Sequence, residues 1–328
     1  MKYWGLILCI VSLGGQLSAA RMVVFGDSLS DGGYWFGARQ IDSGGEFWHE
    51  NLADRLGFTR ATTSGFLGSS GLNLAVATNR VEDLQDQVNR YANRYTWQSG
   101  DLCTLWIGGN DLGDDPNQNM TTLASEIGDI ISQLAALGVD HFIVPNLPDL
   151  GAIPESLGDT PLMTARRAGT IAFNTALAAE LNTRSTSLSV TIHKLDIFSL
   201  FDHMLDYASD FGFSNTTEAQ NEQSSGTPND YVFWDDIHPT SRSHSLVSAS
   251  AQALVDENAP IEVISWSINP NGSFRQTWIA DPSAPYKILS GSQVDQLTTV
   301  TPFIGNPAYT AIIAAPSSAS GFFKTQKN

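Results

Sequence analysis

The sequence predicts an α/β fold with a parallel sheet, followed by a small all-β module, and three observations carry that prediction. Short apolar runs alternate with helical periods through the first two-thirds of the 328 residues. The connections between them are short, as in sheets covered by helices on both faces. After Pro260 the texture changes to brief apolar runs split by turn clusters.

The elements can be read in order. The first strand is Met22-Val23-Val24-Phe25, and further strands are expected at 102–107, 139–144 and 189–195. Val81, Leu84, Val88, Tyr91 and Tyr95 follow a 3-4-3-4 spacing that predicts a helix between the first two strands. A second stripe, Leu123, Ile127, Ile130, Ile131, Leu134 and Leu137, ends at Gly138, where a left-handed residue can stop a helix. An alanine-rich helix is expected over 163–182. Another should start after Pro239, capped by Thr240 or Ser241, and run to about 258. Residues 209–229, rich in Ser, Gly and Asn, read as a long surface loop. The stretch 261–328 has no long helical period and is broken by Asn-Pro-Asn-Gly, Asp-Pro-Ser-Ala-Pro, Ser-Gly-Ser and Gly-Asn-Pro, which predicts the all-β module.

Composition narrows the classes of function. Hydrophobic content of 42% supports a proper core, and only 16% charged residues suits an extracellular protein. A net charge of -17 argues against nucleic acid and anionic membrane surfaces as partners. Residues 1–20 read as a cleaved signal peptide: Lys2, an apolar run from Trp4 to Leu13, then small residues at Ser18-Ala19-Ala20. That assigns the chain to a secreted, periplasmic or cell-surface location. Cleavage after Ala20 leaves Cys103 as the one cysteine, expected as a buried structural thiol in an apolar run.

In α/β sheets the active site lies beyond the carboxyl ends of the strands. Ser28 follows the first strand directly and Gly108-Gly109-Asn110-Asp111 follows the second, so both project there. Asp235 and His238 are spaced so that both side chains reach the same side of one turn. Asp235 can then hold one imidazole nitrogen while the other faces Ser28, and Pro239 stiffens the loop. An Asn110 amide and the Ser28 backbone N–H are candidate donors to an oxyanion. The remaining histidines, at 49, 141, 193, 203 and 244, form no metal-like pair and are read as structural or surface groups. Asp111, Asp114 and Asp115 lack the spacing of a calcium loop. Trp35, Phe36, Phe47 and Trp48 are candidates either for an acyl pocket or for the core.

Four ordered blocks then match a known pattern. Phe-Gly-Asp-Ser-Leu-Ser-Asp at 25–31, Gly71-Leu72-Asn73-Leu74-Ala75, Gly108-Gly109-Asn110-Asp111 and Trp234-Asp235-Asp236-Ile237-His238-Pro239-Thr240 resemble the motifs of GDSL-type SGNH hydrolases. The resemblance spans about residues 22–257, whereas the Gly-x-Ser-x-Gly elbow of α/β-hydrolases is absent. It implies a flavodoxin-like three-layer α/β/α sandwich over 21–258 and ester hydrolysis without metal or organic cofactor. It implies Ser28 as nucleophile, His238 as base and acid, Asp235 as its orienting carboxylate, and Ser28 and Asn110 as oxyanion donors. One position departs from the family: Thr78 stands where a glycine usually supplies a third amide. Its N–H can donate only if a β-branched residue adopts the required backbone angles.

The expected activity is that of a secreted lipase or esterase acting through an acyl-serine. The alternatives are an acyltransferase with the same triad, or a surface-binding protein whose α/β domain is a carrier. The expected substrate is a small-molecule or polymer-borne ester. The C-terminal module is a candidate contact to polysaccharide or cell envelope.

Overall fold

The computed structural model describes residues 20–66, 70–268, 270 and 274–280, and beyond them the backbone of four strands within 285–327. Residues 1–19 of the expected leader lie outside the described residues. Strand β1 (Met22–Gly26) is followed by helices α1 (Trp48–Leu56) and α2 (Leu84–Ala92), then β2 (Leu102–Trp106). Helices α3 (Gly109–Asp114) and α4 (Met120–Ala136), strand β3 (His141–Pro145), helix α5 (Thr160–Leu188) and strand β4 (Thr191–Leu195) come next. Helix α6 (Ile197–Asp206), strands β5 (Asn215–Ala219) and β6 (Tyr231–Phe233) and helix α7 (Ser241–Val255) complete the α/β part.

The main sheet is parallel, in the order β1-β2-β3-β4. An extended segment around Asn73 adds to its free edge: Val24 donates to Leu72 O at 2.8 Å and accepts from Leu74 N at 2.7 Å. Counting that segment, the strands run 2-1-3-4-5 in chain order, the flavodoxin-like arrangement. Every residue of β1 and β2 is buried, which requires helices over both faces. One helical layer pairs α1 with α7, while α4 packs on α5 and on α2. The α/β part is thus a three-layer α/β/α sandwich. Among the described residues no helix is long and apolar enough to cross a membrane.

The observed elements differ from the sequence reading mainly at their ends. The alanine-rich helix extends past 163–182 at both ends, and Asp159 sets its start by accepting from Leu162 N at 3.0 Å. The 81–95 period divides into a 3-10 turn at 81–83 and α2, which stops before Tyr95. Thr240 caps α7 by accepting from Ser243 N. Residues 209–229 are not a plain loop. They contain β5, which pairs in parallel with β6 and so fixes the approach to the loop at 235–238.

The C-terminal strands are antiparallel: β7 (Glu262–Ile268), β8 (Phe274–Ile279), β9 (Pro285–Gly291), β10 (Thr298–Ile304), β11 (Ala308–Ile313) and β12 (Phe322–Lys327). They form two small sheets, β11-β8-β7 and β10-β9-β12. The first leans on the sandwich, with Trp278 and Ile279 fully buried. Arg55 on α1 pairs with Glu262 at 2.6 Å, and Arg275 pairs with Asp210.

Candidate active site

The site is built where β1 and β2 end side by side. At Gly26 the strand bends with φ 145°, and a Cβ there would stand 2.3 Å from Trp106 O, so only glycine fits this close approach. The fully buried side chain of Gln87, on α2, clamps the bend from both sides. Its Oε1 accepts from Gly26 N at 2.9 Å and its Nε2 donates to Gly26 O at 2.7 Å. Ser28 therefore leaves a backbone held by strand pairing on one side and by an amide on the other.

His238 Nε2 lies 2.8 Å from Ser28 Oγ although 210 residues separate them. His238 Nδ1 faces the Asp235 carboxylate at 2.7 and 2.9 Å. The same carboxylate accepts from the backbone N–H groups of Ile237 at 2.9 Å and His238 at 2.6 Å. Asp235 thus makes a turn around itself, which is why the three-residue spacing puts both side chains together. Trp234 N donates to His238 O and Glu155 N to Asp236 O, pinning the loop to its stem and to the turn at 154–156. Burial alone would raise the Asp235 carboxyl. The hydrogen bonds from His238 and from the loop amides outweigh it and leave the group below its ordinary value, hence ionised.

Asn110 sits at the start of α3, after Gly108 in a left-handed conformation. One N–H of its Nδ2 donates to Asn79 O at 2.8 Å, which leaves the second for another acceptor. Asn79 is itself held by Gln87 Nε2, through Oδ1 at 2.9 Å. Sequence reasoning misses Gln87 and Asn79 because neither belongs to a motif. The signal that could find Gln87 is its place on the buried face of the 81–95 period, between Leu84 and Val88.

Ser28, Asn110 and His238 line one cavity, with an apolar wall that includes Leu147, Leu150, Phe201, Phe233 and Ile237. Asp235 stands behind His238, outside that lining. Thr78 does not line it either. It is exposed and adopts φ 69°, the left-handed region that a glycine would favour, one residue before Asn79. The aromatic candidates also divide. Phe47 and Trp48 are fully buried core residues, while Trp35 and Phe36 are exposed, so none of the four forms an acyl pocket beside Ser28.

Asp27 also lines the cavity, and burial pushes its carboxyl up to about 7, against the opposing pull of the Leu29 N–H and of His238. The other acids have local partners: Asp111 accepts from Val81 N, and Asp114 pairs with Arg80. His49 and His244 are fully buried beside Phe47, and burial lowers them to about 4 and about 3. Cys103 is a free, buried thiol whose pKa burial raises.

A family model described as GDSL-like Lipase/Acylhydrolase matches residues 22–250. The chain belongs to that family. Membership makes it a carboxylic ester hydrolase, and the match ends within α7, short of the antiparallel strands. The phosphatidylcholine-sterol acyltransferase of Aeromonas hydrophila is 26% identical over 250 residues, covering 67% of this chain and 72% of that protein. Lipase 1 of Photorhabdus luminescens is 28% identical over 165 residues, covering 46% of this chain and 25% of that one. The crystal structure of a member of the lipolytic G-D-S-L family from Veillonella parvula DSM 2008 superimposes with a TM-score of 0.44 at 15% identity, over 73% of this chain and all of that one.

Proposed function

We propose that this GDSL family member hydrolyses carboxylic esters through a covalent acyl intermediate on Ser28. The observation that carries the proposal is the unbroken line from Asp235 through His238 to Ser28 Oγ, with both His238 contacts under 3 Å. In the first half-reaction His238 Nε2 takes the Ser28 proton as Oγ bonds to the ester carbonyl carbon. The oxyanion that forms receives an N–H from the Ser28 backbone and the free N–H of Asn110 Nδ2. The tetrahedral species collapses as His238 gives its proton to the departing alcohol oxygen. In the second half-reaction water follows the same path in reverse and releases the acid.

Thr78, the third donor that the resemblance implies, keeps a left-handed conformation but lies outside the lining of the Ser28 cavity, so this reading rests on the Ser28 and Asn110 donors. Asp235 acts by holding the imidazole tautomer and balancing its charge after proton transfer.

An alcohol can replace water in the second half-reaction, which would make the enzyme an acyltransferase. The similarity to a protein named phosphatidylcholine-sterol acyltransferase favours testing that outcome. We also propose export, with residues 1–20 as a cleaved leader, and a division into a catalytic domain at 21–258 and a β module at 261–328. That module is proposed to bring the enzyme to polysaccharide or cell envelope. Replacing Ser28 by Ala should abolish turnover of a short p-nitrophenyl ester; full retained activity would overturn the reading.

A further inference from the structure

Residues 31–37 leave the Ser28 turn as a loop with three successive aromatic side chains, Tyr34, Trp35 and Phe36. The loop is firmly built. Buried Asp31 accepts from Gly33 N at 2.8 Å, Tyr34 N at 2.6 Å and, across the site, Ala77 N at 2.8 Å. Gly37 N donates to Gly33 O and Phe66 N to Tyr34 O, both at 3.0 Å. This frame turns apolar rings outward: Trp35 is 42% exposed, Phe36 77% and Phe66 50%. The rings touch one another, with Phe66 centred 4.6 Å from Trp35 and 5.9 Å from Phe36. Phe36 also holds φ 54°, a left-handed conformation that disfavours a bulky side chain, so its outward position is maintained at a cost.

We infer that Trp35, Phe36 and Phe66 form a docking surface for a zwitterionic or neutral lipid aggregate, which presents its esters to Ser28; this rests on the ester-hydrolase reading above. Aromatic clusters of this kind insert at the boundary between headgroups and acyl chains. The surface continues toward the site. Tyr34 and Trp35 border a groove with Asn79, and Asn79 O holds the Asn110 amide that lines the Ser28 cavity.

Three observations select this occupant. A net charge of -17 repels an anionic aggregate and a second copy of the chain alike. Three partly exposed aromatic side chains offer roughly 300–400 Å², below the roughly 800 Å² per partner of a stable protein interface. Phe66 is tilted 35° from Trp35 and 63° from Phe36, so the rings give no flat platform for a sugar face, and the phenylalanines have no group to hydrogen-bond one.

The test compares the full chain with Trp35→Ala/Phe36→Ala/Phe66→Ala and with Ser28→Ala, so that the N-terminal segment and the β module are the same in all. Flotation with phosphatidylcholine vesicles should show at least a tenfold lower partition for the triple variant and an unchanged partition for Ser28→Ala. Turnover of soluble p-nitrophenyl acetate by the triple variant should stay within twofold. If the triple variant does not fold, Phe36→Ser alone carries the test, with a several-fold loss expected. Equal partition of wild type and the aromatic variant, or no vesicle binding by wild type, would overturn the proposal. So would aromatic-dependent binding to insoluble acetylated xylan instead of vesicles, or a wild-type dimer that the triple variant converts to monomer. Activity retained by Ser28→Ala would sink the catalytic reading and leave the docking result standing.

Discussion

Replacing Thr78 by Gly tests whether this position is a strained substitute for a glycine. Thr78 holds φ 69°, and its exposed side chain makes no hydrogen bond among the described residues. A non-glycine residue in the left-handed region costs about 1–2 kcal/mol, and β-branching removes rotamers that would relieve it. Glycine avoids that cost but adds about 0.5–1 kcal/mol of unfolded-chain entropy. The difference predicts that Thr78→Gly stabilises the protein by about 0.5–1 kcal/mol, a rise in Tm of about 1–4 °C. The backbone N–H is present in both proteins, so kcat on a soluble ester should change by less than about threefold. Calorimetry of the two purified proteins and a p-nitrophenyl ester assay check both halves. A fall in Tm of several degrees would refute the strain argument, because it would mean that the threonine side chain makes contacts worth more than its conformation costs.

Other expected outcomes follow from the same geometry. Asn110→Ala should lower kcat by about 10²–10³ with little change in KM, since the amide acts on charge present only in the transition state; steady-state kinetics on a short ester decide this. Gln87→Leu leaves the buried N–H of Gly26 without its partner, a loss of about 1–3 kcal/mol, while Gly26 O keeps the Val76 N–H at 3.1 Å. The unfolding free energy from denaturant titration should therefore fall by about 1–3 kcal/mol, and kcat should drop as Asn79 shifts. Asp27 is raised to about 7 by burial, so its neutral form favours folding below the unfolded value near 4, and that contribution is lost as pH rises through 7. Asp27→Asn should flatten that loss of stability between about pH 4 and 7, by on the order of 1 kcal/mol for each pH step of one, measured by urea titrations across the range. Cys103 should resist a thiol reagent in the native state and react fully in denaturant.

What is legible in the sequence is local or fully buried. Met22 to Phe25 can be read as a strand because a strand covered on both faces is apolar at every position. Asp235 and His238 can be paired because their geometry is made within one turn. The helical period puts Gln87 on a buried face, but its contacts with Gly26 and Asn79 depend on that helix being brought against the end of β1. The edge segment around Asn73 pairs only through isolated bridges and carries no strand signal of its own. The aromatic pairs at 35–36 and 47–48 have the same chemistry, yet one is surface and the other core. That choice is made by Asp31, which turns the first loop outward, and by the face α1 shows to the sheet.

Whether Ser28 is the nucleophile that carries the acyl group can be read by mass spectrometry after treatment with a fluorophosphonate. A single adduct per chain is expected, mapped to the peptide containing Ser28 and absent from His238→Ala on the same timescale. No adduct on the wild type, or an adduct mapped to a different serine, would contradict it.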